Sequence, residues 1–396
     1  MPWGLARVKT YFAMGDFARA KGCVAQARRT RRLRPEELLT LGRIALLENR
    51  LDEAELSLSA ALEGGEVRAA VPLLAETFYR SDEFDSAATW WRRAGRRAMA
   101  TKLASFAGTT PYQHDLRAAR RLKFVQVDPL PVVRVRVNDL ATGNFLLDTG
   151  GSEVYLDSEF ADQVGASRFG RERGTFAGGR RASYEHGKVD SLLLSDLLVR
   201  NVPVHILPLG HLRGIAGRRR IHGILGTVLL HHFTPTIDYL GAELVLRPLG
   251  SRPARDRGPR SSAGARAPFW MDGDHFVVAK GSINRRPTLL FLDSGLAGGG
   301  FACPPSMMAE AGIPPPEGPV LRGEGGGGSV EARRFVVDRI QLGRAEQRDI
   351  VGWSGVFPRF LEHNFGYRIG GLLSHGFLRN YRVTFDFARM QLTLAR

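Results

Sequence analysis

Phe145-Leu146-Leu147-Asp148-Thr149-Gly150 is a short apolar run ending in a carboxylate, a small hydroxyl residue and a glycine; Leu290-Phe291-Leu292-Asp293-Ser294-Gly295 has the same form. Each reads as a strand that delivers an aspartate into a tight turn. The aspartates are 145 residues apart, too far for one local motif and about right for one small domain used twice.

The surroundings repeat as well. Gly223-Ile224-Leu225-Gly226 through Ile237-Asp238-Tyr239 aligns without a gap with Gly371-Leu372-Leu373-Ser374 through Phe385-Asp386-Phe387, at a constant offset of 148. A closing strand follows in each, Glu243-Leu244-Val245-Leu246 and Gln391-Leu392-Thr393-Leu394. Between the Asp turns and these motifs lie glycine-rich loops, Gly174-Thr175-Phe176-Ala177-Gly178-Gly179 and Gly323-Glu324-Gly325-Gly326-Gly327-Gly328. Glycine lets backbone hinge and approach a ligand, which makes Phe176, Gly178, Gly179, Gly325 and Gly326 candidates for hairpins over a cleft. A plain flexible turn is the other reading, above all for the second loop. The order of parts is the same in both halves, which reads as an internal duplication of a β-rich unit.

The first hundred residues have a different texture. Gly15-Asp16-Phe17-Ala18, Asn49-Arg50-Leu51-Asp52 and Ser81-Asp82-Glu83-Phe84 recur at steps of 34 and 33 residues, flanked by apolar residues at helical spacing such as Leu38, Leu41 and Ala45, then Leu56, Leu58, Ala61 and Leu62. This predicts helix–turn–helix pairs, and the period resembles the tetratricopeptide repeat. Such a stack buries each apolar stripe against its neighbours and offers a concave face to a protein partner, or simply braces the rest of the chain.

Bulk properties bound the rest. The chain has 396 residues, 43% apolar and 24% charged, an ordinary globular composition. Its formal net charge is +16, yet only six of 56 basic residues are lysine and the arginines are spread over the chain. Nucleic-acid binding would gather them on one face, so no nucleic-acid partner is expected. The densest run, Arg28-Arg29-Thr30-Arg31-Arg32-Leu33-Arg34, reads as a solvated helix end plus loop. Cys23 and Cys303 fall in different predicted domains and imply no disulfide framework. No stretch approaches the roughly 18 apolar residues of a membrane span, and Met1-Pro2-Trp3-Gly4 lacks a signal-peptide core. The sequence as written is expected to be cytoplasmic, or periplasmic or secreted if the chain begins downstream of a missing leader.

Taken together, Leu-Leu-Asp-Thr-Gly-Gly-Ser, a glycine-rich hairpin, Ile-Leu-Gly and Ile-Asp-Tyr before a final strand resemble the retropepsin-like aspartic peptidases in their bacterial two-lobed form. The resemblance spans residues 126–396 and implies a multidomain α plus all-β chain: tetratricopeptide-like repeats over 1–105, a connector over 106–125, β-barrel lobes over 126–250 and 268–396, and a linker over 251–267. It implies Asp148 and Asp293 as a catalytic dyad, Thr149 and Ser294 as cross-braces, and Gly150 and Gly295 as turn glycines. The lobes would form an intramolecular pseudo-dimer around a peptide or protein substrate, with no metal or cofactor. Two carboxylates about 3 Å apart cannot both ionise, so they share a proton; one activates water while the other polarises the carbonyl. The competing reading is a non-catalytic peptide-binding scaffold with degenerate lobes; a third is that each lobe pairs with a second chain.

Two positions depart from the pattern. Leu296-Ala297 replaces Gly151-Ser152 after the second turn, and Ser374 stands where Gly226 stands in the first half, an exchange that either is tolerated or loosens the second half-site. Asp238 and Asp386 read as structural. His222, His231, His232 and His375 lack partners at metal-ligand spacing. Trp353, Phe357 and Phe360 read as core, with the lining of a specificity pocket as the other reading.

Overall fold

A computed structural model describes residues 3–213, 217, 219–251, 264–325 and 327–396. Most of the stretch expected as a linker, and Gly326, lie outside the described residues.

The N-terminal region is helical: α1 (Trp3–Ala13), α2 (Phe17–Thr30), α3 (Pro35–Leu47), α4 (Leu51–Glu63), α5 (Val67–Arg80), α6 (Phe84–Arg93) and α7 (Arg97–Ala104). The three turn blocks fall between α1 and α2, α3 and α4, and α5 and α6, where Asp16 caps α2 by accepting from the Arg19 N–H at 3.2 Å. Ala45, Leu58 and Ala61 are buried as their spacing predicts, but Leu56 is exposed. The arginine run is the end of α2 and the loop after it, and Arg31 pairs with the buried carboxylate of Glu37 at 2.6 Å.

The remainder is β-rich. A six-stranded barrel runs in the order Val132–Val137, Ala141–Leu147, Gly223–Leu225, Val154–Asp157, Leu197–Leu207, Arg181–Leu194, and closes by pairing of the last strand with the first. The strands Phe276–Ile283, Arg286–Leu292, Ile369–Leu373, Phe301–Ala302, Ala345–Ser354 and Gly328–Leu342 follow the same order and close in the same way. In both barrels the strands flanking the Asp turn do not pair with each other. A third strand lies between them, parallel to the first and antiparallel to the second.

A sheet joins the barrels, ordered Arg120–Lys123, Glu243–Pro248, Phe233–Asp238, Arg382–Asp386, Gln391–Ala395, Ala265–Asp272. Two of these strands correct the expected boundaries. Arg120–Lys123, expected in the connector, pairs with Glu243–Pro248. Ala265 pairs with Leu394, so the expected linker ends sooner and the second β unit begins before 268. Asp238 and Asp386 sit at the ends of their strands and accept turn N–H groups from Gly241 (2.7 Å) and Arg389 (3.0 Å).

The helices are packed onto both barrels. Phe17 meets Trp270 and Tyr367 edge-on at 5.2 Å, and Arg43 Nη2 donates to the Phe365 carbonyl at 2.5 Å. Tyr79, Phe84, Met99, Leu103 and Phe106 share one buried cluster with Val133, Val204 and Leu229 of the first barrel. No helix among the described residues is long and apolar enough to cross a membrane.

Candidate active site

The two Asp turns meet at the junction of the barrels. Asp148 N–H donates to the Leu225 carbonyl at 3.1 Å and Asp293 N–H to the Leu373 carbonyl at 3.0 Å, so each turn is tied to the strand threaded beside it. Thr149 and Ser294 then bond across. Thr149 N–H donates to Ser294 Oγ (2.9 Å), and Thr149 Oγ1 donates to the Leu292 carbonyl (3.0 Å). Ser294 N–H donates to Thr149 Oγ1 (3.0 Å), and Ser294 Oγ donates to the Leu147 carbonyl (3.0 Å). Both hydroxyls are buried and fully used, which fixes the turns relative to each other.

This brace sets the carboxyls side by side. Gly150 and Gly295 make room: a Cβ on Gly150 would stand 2.4 Å from Asp293 Cγ, and one on Gly295 would stand 2.3 Å from Asp148 Cγ. Each carboxyl also accepts its own turn's N–H, Gly150 to Asp148 at 2.8 Å and Gly295 to Asp293 at 2.7 Å. Burial pushes both carboxyls up, and they hydrogen-bond to each other. Asp293 rises further because the Asp148 charge adds to burial, whereas the Asp293 hydrogen bond and the Gly150 N–H restrain Asp148. Both shifts are upward, and titration is a property of the pair rather than of either residue.

The second turn is not loosened by Ser374. This side chain is buried, its Oγ donates to the Asp293 carbonyl at 2.5 Å and it accepts the Leu296 N–H at 3.1 Å. Thr227 Oγ1 does similar work in the first half, donating to the Thr149 carbonyl at 2.9 Å. A Cβ on Gly226 would lie 2.3 Å from the Ser152 and Glu153 carbonyls, so only the second barrel has space for a side chain there.

Over the dyad lies a cavity of about 590 Å³. The two glycine-rich hairpins roof it and meet. Gly178 N–H donates to the Val356 carbonyl at 2.9 Å, a Cβ on Gly325 would be 3.0 Å from Ala177 Cβ, and His211 Nε2 bonds the Gly325 carbonyl at 2.8 Å. Phe176 and Gly325 line the cavity, and Gly179 closes the first tip by donating to the Phe176 carbonyl at 3.0 Å. Of the aromatics read either as core or as pocket lining, Trp353 and Phe360 line it, because the strand and turn that carry them border the cleft, while Phe357 is buried in the core.

Several contributors left little mark in the sequence. Glu153, just past the first turn, is fully buried and takes Lys102 Nζ at 2.5 and 2.7 Å, and Tyr79 OH donates to it. Asp274 and His275, in the turn that precedes Phe276, line the cavity and pair with each other, and His275 helps hold Asp148 down. The four histidines noted in the sequence serve elsewhere: His222 Nδ1 accepts the Asn144 N–H at 3.0 Å, His231 stacks on His232, His232 faces Asp82 and His375 faces Asp128. Among the described residues no group of three or more His, Cys, Asp or Glu is placed to hold a metal ion. Cys23 and Cys303 are both free thiols.

A family model described as aspartyl protease matches residues 133–229, the first barrel with Asp148 and its turn. No curated protein matches the chain. The matched segment carries one half-site; the other lies beyond it.

Proposed function

We propose that this chain is an aspartic peptidase whose two barrels arose by duplication and act as an intramolecular pseudo-dimer, with Asp148 and Asp293 as its dyad. The observation that carries this reading is the reciprocal Thr149–Ser294 brace, which sets the two Asp turns of one chain against each other with their carboxyls side by side. The aspartyl-protease match over the first barrel supports the reaction class.

The ionised Asp148 takes a proton from a water lying between the carboxyls as the water oxygen adds to the peptide carbonyl carbon. Asp293 gives its proton to the carbonyl oxygen. Asp148, now protonated, gives its proton to the nitrogen as the C–N bond breaks, one diol hydroxyl returns its proton to Asp293, and the acyl part departs as a carboxylic acid with the dyad restored. The paired hairpins hold an extended peptide by backbone bonds and exclude bulk water. On this reading the paired helices are a tetratricopeptide-like stack that would recruit a protein partner; the recurring turns between α1 and α2, α3 and α4, and α5 and α6 support it.

The test is incubation of the protein with a diverse peptide mixture across acidic and neutral pH, beside Asp148→Asn and Asp293→Asn. Cleavage by the wild type alone supports the dyad. Equal cleavage by all three proteins, or none by any, leaves the scaffold reading.

A further inference from the structure

The turn Gly273-Asp274-His275 leads from Ala265–Asp272 into Phe276–Ile283, the first strand of the second barrel, and all three of its residues line the dyad cavity. His275 Nδ1 donates to Asp274 Oδ1, and the ring lies against Phe276 with centroids 3.9 Å apart, so the imidazole is held from two sides. Its other nitrogen, Nε2, has no partner among the described residues, and packing does not seal it off. The side chain keeps 15% of its surface open. The first barrel has no counterpart. Before its first strand stand Asp128-Pro129-Leu130-Pro131, none of which lines the cavity; Asp128 is turned to His375 and Leu130 is buried.

The other charged groups around this turn are committed. Asp272 accepts from Tyr367 OH at 2.8 Å, Arg96 pairs with Glu172, and Lys102 pairs with Glu153. Glu76, pushed up to about 8 by burial, faces Arg80, and burial holds His205 neutral. Tyr79, Trp91 and Met99 complete the helical part of the lining without adding charge. His275 is different, because its charge reaches the dyad: burial raises Asp148, and His275 is among the groups that pull it back. Against the burial of Asp274, the same charge and its hydrogen bond hold that carboxyl down as well. A charged imidazole donates at both nitrogens. Nδ1 spends its proton on Asp274, so the Nε2–H is left for whatever fills the cavity, and an enclosed charged donor that goes unmet is costly.

We infer that His275 is a substrate-contacting residue of the cleft, positioned by Asp274, and that its Nε2–H donates to an oxygen of the bound peptide, either a main-chain carbonyl or a side-chain carboxylate. This rests on the dyad reading above. The contact gives the second barrel a hold on the peptide that the first lacks, so two half-sites with matching Asp turns grip their substrate unequally.

The test uses the full chain and peptides that it cleaves, made with glutamate near the cut or with glutamine in its place. His275→Phe keeps a ring against Phe276 and removes the donor; it is expected to raise KM by about 10-fold or more, as loss of a charge-assisted hydrogen bond does. It also removes a positive charge that favours ionised Asp148, so the acid limb of the kcat/KM profile moves to higher pH. His275→Gln, which keeps an N–H donor without the charge, is expected to recover part of the KM while its acid limb stays displaced. A KM rise equal for both peptide sets puts the acceptor on the main chain, and one confined to the glutamate peptides puts it on the carboxylate. Circular dichroism checks that the variants fold. Asp148-dependent cutting with an unchanged KM in His275→Phe, or with both KM and acid limb unchanged in His275→Gln, overturns the contact and leaves the peptidase intact. Absence of any Asp148-dependent cut by the wild type overturns both.

Discussion

Thr236 and Thr384 face each other at the centre of the sheet between the barrels, their hydroxyl oxygens 2.7 Å apart on antiparallel strands. They are 148 residues apart, the same offset that aligns the two downstream motifs. Antiparallel strands that meet at their own equivalents are what a two-fold rotation produces. The Thr149–Ser294 brace obeys the same rule one layer away, where each residue does for the other turn what the other does for its own.

Removing either carboxyl is expected to abolish turnover without unfolding the chain. Asp148→Asn and Asp293→Asn should each lower kcat by about 10²–10⁴-fold or more, since general acid–base work of that size is lost. Both carboxyls are raised by burial, so the wild type bears a cost of burying charge at neutral pH that Asn does not. The Asn variants should therefore melt higher than wild type by on the order of a few degrees at pH 7, with the gap closing below about pH 4, where the unfolded carboxyls also take up protons. A calorimetric pH series would sink this with a gap that is constant or reversed.

The pH profile of kcat/KM should be a bell displaced upward from that of ordinary carboxyls. The acid limb reports uptake of a second proton by the Asp148–Asp293 pair and the alkaline limb loss of the one they hold, and both directions are upward. An optimum below about pH 4, near the intrinsic carboxyl range, would contradict the burial argument.

Gly150→Ala and Gly295→Ala should be nearly inactive yet folded. The added methyl would lie 2.4 and 2.3 Å from the opposite carboxyl carbon, displacing it from its neighbour. Circular dichroism together with peptide turnover measures both parts.

Thr149→Val should be costlier than Thr149→Ser. Valine leaves the Ser294 N–H and the Leu292 carbonyl without their partners in a buried place, a loss of about 1–3 kcal/mol for each stranded group. Serine keeps both bonds. Denaturant melts that rank the two equally would dismiss the brace.

Lys102→Met should destabilise by about 3–5 kcal/mol, because it strands the buried Glu153 carboxylate, while adding Glu153→Leu should restore much of the loss. A double-mutant cycle by urea unfolding reads the coupling directly.

The Asp turns were legible because their chemistry is local: strand, carboxylate, hydroxyl and glycine stand in six consecutive residues, and the same pattern recurs 145 residues later. The hairpins and late strands followed from the constant offset. Lys102 was not legible, since its partner is 51 residues away and only packing reveals that a lysine beside Leu103 lies on the buried stripe of α7. Glu76 and Trp91 likewise sit on amphipathic helices, whose periodicity separates inside from outside but does not say that the inside is a cavity. Arg120–Lys123 was missed because four residues, three of them basic, give no alternation to read. Which reading of Ser374 holds was not legible, because the room at that position depends on the chain after the Asp turn, whose Ser152 and Glu153 carbonyls crowd Gly226 in the first half.

The sheet between the barrels is completed by residues late in the chain: Arg382–Asp386 pairs with Phe233–Asp238, and Gln391–Ala395 bridges to Ala265–Asp272. During synthesis a nascent chain holding only the first barrel carries Asp148 with no facing carboxyl and no roof. The carboxyl that faces Asp148 stands 145 residues later in the chain, so the pair comes into being only once the second barrel has been made and has folded against the first.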